Sequence, residues 1–113
     1  MSGVPRIVEL RCEAVPAGAV TRLEIEGAPP LAVYNLDGEY CATDDTCTHG
    51  EASLSEGDLE GREIVCPFHL GSFDIRTGAA CRAPCIRPIR TCAVTVEAGV
   101  LRIAMKGSAG ADA

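Results

Sequence analysis

Tryptophan is absent from this sequence, and its 113 residues include only two tyrosines, two phenylalanines and two histidines. So sparse an aromatic set offers no stacking platform for nucleic-acid bases. A basic surface is lacking too. Sixteen acidic side chains against ten basic ones leave a formal net charge of −6, the wrong sign for a phosphate backbone. No run of about 18 apolar residues occurs, so nothing reads as a membrane-spanning helix. Met1 to Leu10 carries one Arg, then Glu9, and no apolar core, which fits neither a secretory signal nor a twin-arginine leader. The expectation is a soluble cytoplasmic protein with no nucleic-acid and no membrane partner. Helical periodicity is also missing, since no ten-residue window shows a convincing apolar stripe.

What is present is an ordinary globular composition, 47% apolar and 23% charged. The length suits one domain, read as residues 1–106, followed by a small, polar tail at 107–113 expected to fray. The acidic balance suits docking on a basic patch of a protein partner. Cysteine is the residue in excess. Seven is an odd number, so a full set of internal disulfides cannot form, and in a reducing compartment clustered thiols point to metal or redox chemistry. Cys12, Cys41 and Cys92 fall in strand-like runs and read as small buried residues. Cys81 and Cys85, spaced C-x-x-x-C, read as neighbouring thiols rather than a second metal site.

The chain pattern is one of short strands. Ile7 to Arg11 is a first candidate, and Val20 to Ile25 is close to period 2. Pro29-Pro30 reads as a breaker before a strand over Leu31 to Leu36. Asp37-Gly38 is a two-residue hairpin signal, with Glu39 to Thr43 returning. From Asp44 to about Ala83 the sequence turns rich in Gly, Cys, His and polar residues, with brief strands expected at Arg62 to Cys66 and Ser72 to Ile75. A last hairpin, Thr91 to Glu97 and Val100 to Met105, turns at Ala98-Gly99. The reading is all-β: a base built from both ends of the chain, with a Cys- and His-bearing segment, about 45–83, inserted between them.

Both histidines sit beside cysteines. Cys47-Thr48-His49-Gly50 is followed, with sixteen residues between His49 and Cys66, by Cys66-Pro67-Phe68-His69. Each half, C-x-H and C-x-x-H, offers one thiolate and one imidazole, a donor pair that suits iron–sulfur clusters and zinc alike. Structural zinc sites pair ligands across two to four residues, so C-x-H is short for that habit and fits a two-metal site better. A mononuclear zinc knuckle and unliganded core Cys and His are the alternatives. No open metal site, substrate pocket or general base is recognisable, so the chain reads as a component of an enzyme system and not as an enzyme.

Cys47-Thr48-His49-Gly50, Leu59-Glu60-Gly61, Cys66-Pro67-Phe68-His69-Leu70-Gly71-Ser72-Phe73-Asp74, Thr77-Gly78 and Ala83-Pro84 together resemble the Rieske-type ferredoxin components of bacterial aromatic-ring-hydroxylating dioxygenases. The likeness runs from about residue 5 to residue 105. It implies a Rieske fold, an antiparallel β-sandwich base with a smaller inserted cluster-binding subdomain. It also implies one [2Fe–2S] cluster, with Cys47 and Cys66 on the inner iron and His49 and His69 on the outer one. The implied role is one-electron relay from an NAD(P)H-dependent flavoprotein reductase to a terminal oxygenase, by a monomer. A nitrite reductase small subunit and the ferredoxin of a diiron monooxygenase share the motif. The rival from another class is a zinc-stabilised interaction module.

Two neutral imidazoles in place of two thiolates make such a cluster less negative and easier to reduce. Rieske centres therefore span roughly −150 to +300 mV, against about −400 mV for all-Cys plant-type clusters. High-potential members of the family join their cluster loops by a disulfide at the positions of Ala52 and Phe68 here, and place Ser and Tyr hydroxyls where this chain has Gly71 and Phe73. The resemblance therefore implies a potential near the low end. Ala83-Pro84-Cys85 matches a family loop that shields the cluster, with Cys85 in place of the more frequent Pro or Val. The sequence does not name the aromatic substrate or say what Cys81 and Cys85 do.

Overall fold

The computed structural model describes residues 6–48, 52–67, 71–83, 85 and 87–105. The tail read at 107–113 lies outside them. Ten strands form two antiparallel sheets: β1 (Arg6–Arg11), β2 (Val20–Ile25), β3 (Ala28–Leu36), β4 (Glu39–Asp44), β5 (Asp58–Glu60), β6 (Glu63–Val65), β7 (Ser72–Asp74), β8 (Ala80–Arg82), β9 (Thr91–Glu97) and β10 (Val100–Met105). The larger sheet has the order β1-β10-β9-β4-β3-β2, and the smaller runs β5-β6-β7-β8. Short 3-10 turns at Cys12–Ala14 and Leu54–Glu56 are the helical elements among the described residues. No helix there is long and apolar enough to cross a membrane.

Two tight hairpins set the larger sheet. Asp37 (φ 54) with Gly38 (φ 97), and Ala98 (φ 54) with Gly99 (φ 77), both have two successive positive φ angles. That is the signature of the type I′ turn, whose twist matches that of the strands it joins. Register agrees, with Leu36 opposite Glu39 and Glu97 opposite Val100. The halves β1-β10-β9 and β4-β3-β2 meet through only two opposed pairs, Ala42 with Cys92 and Thr43 with Thr91. They fold over one another as a sandwich, because Leu101 and Ile103 of β10 share a core with Leu31 and Val33 of β3.

The central strand β3 is buried on both faces, without a break from Leu31 to Asn35. Leu31 and Val33 point into the sandwich, while the alternate residues Ala32 and Tyr34 point into a second core with Leu54, Ile64, Phe73, Ile75 and Ile89. One strand thus serves as the wall between the base and the inserted segment.

Some local expectations need correction. Pro29-Pro30 does not break the strand, since β3 begins at Ala28 and runs through both prolines. The register between β2 and β3 shifts between Leu23 and Ile25, so this end of the ladder is irregular and tolerates residues without an N–H. Cys12 lies in a 3-10 turn and not in a strand, and Cys12, Cys41 and Cys92 are half-buried rather than enclosed. Strands β5 and β8 were not expected at all.

Candidate metal centre

Two loops carry the Cys/His motifs, and both are closed by the same device. The Cys47 N–H donates to the Ala52 carbonyl (3.0 Å), and the Cys66 N–H donates to the Gly71 carbonyl (2.7 Å). Each cysteine is thus the first residue of a loop whose sixth residue folds back onto it. Both cysteines are buried, at 3% and 2% exposure, inside the core shared with Tyr34 and Phe73. His49 and His69, with Gly50 and Phe68, lie outside the described residues.

The first loop is anchored below Cys47 by a buried carboxylate. Asp45 is 1% exposed. Its Oδ1 accepts the Ser55 N–H (2.8 Å), and its Oδ2 accepts the Ser53 hydroxyl and an Arg22 guanidinium N–H (3.4 Å). Its carbonyl accepts the Leu54 N–H (2.7 Å), and Thr46 bridges to Ser53 across the loop neck. A buried carboxylate this well supplied with donors ties both arms of the loop to β2. Nothing in the motif pointed to Asp45, although an acid two residues ahead of Cys47 and two serines at 53 and 55 are visible in the sequence.

A third segment, after β8, closes over both loops. Thr48 Oγ1 donates to the Arg87 carbonyl (2.8 Å), and Arg87 Nη2 approaches the Thr48 carbonyl (3.5 Å). The Cys85 N–H donates to the Arg82 carbonyl (3.1 Å). This places the Cys85 sulfur 3.7 Å from that of Cys47. Burial, first, and then the contact with Cys47 push the Cys85 thiol up to about 12, and the charges of Cys47 and Cys66 act in the same direction. Cys47, Cys66 and Cys85 share one buried core. Cys81 has a different setting: it is exposed, with its sulfur near the Ala79 carbonyl (3.6 Å), so C-x-x-x-C does not form a shared site.

Gly71 shows how tightly the loops meet. A Cβ there would lie 2.6 Å from the Cys85 sulfur and 2.9 Å from both the Arg82 carbonyl oxygen and the Cys85 nitrogen. Only glycine allows the approach. Two buried thiols, one from each matched loop, and backbone packed to the limit of a missing side chain fit a compact sulfur-ligated group.

The model of the Rieske [2Fe-2S] domain matches residues 6–93. The ferredoxin component of the p-cumate 2,3-dioxygenase system of Pseudomonas putida is 52% identical over 86 residues, 75% of this chain and 73% of that protein. The structure of a complex of reduced oxygenase and oxidized ferredoxin in carbazole 1,9a-dioxygenase contains a chain that superposes with a TM-score of 0.85 at 41% identity, covering 88% of this chain and 94% of that one. The ferredoxin of Sphingomonas yanoikuyae B1 superposes with a TM-score of 0.77 at 47% identity, covering 85% and 92%. With the fold, the two cysteine loops and these relatives in agreement, the chain belongs to the Rieske [2Fe–2S] family, among the ferredoxin components of aromatic-ring-hydroxylating dioxygenase systems.

Proposed function

We propose that this ferredoxin carries single electrons from an NAD(P)H-dependent flavoprotein reductase to a terminal ring-hydroxylating oxygenase, in the cytoplasm and as a monomer. Cys47 and Cys66 hold the inner iron of the cluster, and His49 and His69 hold the outer iron. The cluster supplies the chemistry, taking up and giving back one electron. The observation that carries this reading is the matched pair of loops, each opening on a buried cysteine and closed by that cysteine's N–H onto the carbonyl five residues ahead. Each loop buries its cysteine at the first position, as a thiolate ligand to an inner iron requires.

The protein's own residues do the positioning. Asp45 and the Thr48–Arg87 stitch hold the first loop. The core around Phe73 and Ile64 keeps water from the sulfurs, and glycine at 71 lets the covering segment close. Residues 45–83 act as the cluster-binding unit on a domain that spans 1–106. The potential lies near the bottom of the Rieske range, since position 73 is a buried phenylalanine with no hydroxyl to offer a sulfur.

Electron paramagnetic resonance of the dithionite-reduced protein is the test. The expected signal has an average g value below that of an all-cysteine [2Fe–2S] protein recorded alongside. An average equal to the all-cysteine reference would overturn the histidine ligands. A colourless protein containing zinc would overturn the cluster.

A further inference from the structure

We propose that the Cys85 thiol donates a hydrogen bond to the Cys47 sulfur and thereby raises the reduction potential of the cluster that Cys47 holds. This rests on the reading of Cys47 as a cluster ligand. The two sulfurs are 3.7 Å apart, within reach of an S–H···S contact. Both residues are 3% exposed, so water does not compete for either sulfur. The covering segment is fixed on each side of the thiol, by the Cys85 N–H on Arg82 and by Thr48 on Arg87.

Chemistry settles the direction of the bond. A cysteine that ligates iron does so as the thiolate and has no proton left to give. Cys85 is then the donor and Cys47 the acceptor. Gly71 fixes where the Cys85 sulfur sits. Any side chain at 71 would put its Cβ 2.6 Å from the Cys85 sulfur, closer than real Cβ atoms come, so the space beside the second loop is taken by the thiol. The donor reaches the site from a third segment, and the second loop leaves no room for a side-chain donor of its own at position 71. Reduction adds a negative charge to the site. A donor aimed at a ligand sulfur stabilises that charge more than it stabilises the oxidised form.

The experiment uses the purified, cluster-loaded protein and three variants: Cys85→Val, which keeps the bulk without the donor; Cys85→Ser, which keeps a donor; and Cys47→Ser. Midpoints come from spectroscopic redox titration, and Fe–S stretching frequencies from resonance Raman spectra in H2O and D2O. Cys85→Val is expected to retain the wild-type electron paramagnetic resonance signal while its midpoint falls. At the wild-type midpoint its reduced-to-oxidised ratio should drop about fivefold, the size of one modest hydrogen bond. The deuterium shift of the Fe–S(Cys) stretch should shrink in Cys85→Val and persist in Cys85→Ser. An unchanged midpoint with an unchanged deuterium shift overturns the proposal. So does loss of the cluster from a folded Cys85→Val, which would make Cys85 a ligand. Cys47→Ser separates the two levels: an unaltered cluster signal in that variant removes the ligand reading, and the hydrogen bond with it.

Discussion

Tyr34 is the largest fully buried side chain among the described residues, and its hydroxyl is paired with Thr43 at 2.9 Å. Thr43 in turn donates to the Asp44 carbonyl at 2.8 Å, so the pair stands at the root of the first ligand loop. Burial raises the Tyr34 pKa above its ordinary 10.0, with the Thr43 contact pulling the other way. The unfolded chain therefore releases this proton at a lower pH than the folded one. The contribution is present in full below the ordinary tyrosine value and is lost as pH rises past it. Thermal unfolding at a fixed scan rate should show stability falling above about pH 10, and Tyr34→Phe should fall less steeply over the same range. Equal slopes for the two proteins would mean that Tyr34 ionises no differently once buried. At this scale Cys47 and Cys66 could be singled out as candidates, because a thiol two or three residues from a histidine is rare enough to stand out in composition, and the fold buries both in one core. Asp45 was not legible. Its role depends on burial and on donors from Arg22 and Ser55, which only the folded chain brings together. Cys85 could be noted as unusual, but its contact with Cys47 spans 38 positions.

Among the elements, those with enough residues to show alternation were legible. The strands Val20–Ile25, Thr91–Glu97 and Val100–Met105 have the bounds read from the sequence, and both two-residue turns are where Asp37-Gly38 and Ala98-Gly99 placed them. Strands β5 and β8 are as short as β6 and β7, three residues each, but lack the large apolar pairs Ile64-Val65 and Phe73/Ile75 that marked those two. They exist because β6 and β7 offer them open edges and a shared core. The final hairpin also holds a local strain. Ala98 sits at φ 54 in a turn that asks for positive φ at both central positions, a conformation that costs an L-residue about 1–2 kcal/mol. Ala98→Gly removes that strain at the cost of a more flexible unfolded chain, and should raise the thermal midpoint by about 2–4 °C. A lower midpoint would show that the alanine is at ease there. The turn joins β9 to β10, away from the core that holds Cys47 and Cys66, so the visible spectrum should not change.

For the molecule as a whole, the net charge of −6 is the property most open to test in solution. If the acidic surface steers the ferredoxin toward basic patches on its partners, stopped-flow electron transfer should slow several-fold between about 0.01 and 0.15 M ionic strength, as screening shortens from about 30 to about 8 Å. A flat profile would assign recognition to short-range contacts alone. The topology has a different kind of consequence. The inserted residues leave the base at β4 and return at β9, and these two strands are neighbours, with the Asp44 N–H on the Arg90 carbonyl at 3.0 Å. Segment 45–90 therefore begins and ends at one point of the scaffold, as a cassette plugged into a single socket. Such a cassette can be exchanged for another with the same socket spacing. It cannot simply be cut out, because Ala32 and Tyr34 on the outer face of β3 would lose the core that covers them. With the ligand set proposed above, a chimera that exchanges segment 45–90 between two ferredoxins is expected to take its potential from the cassette and the charge of its base from the scaffold.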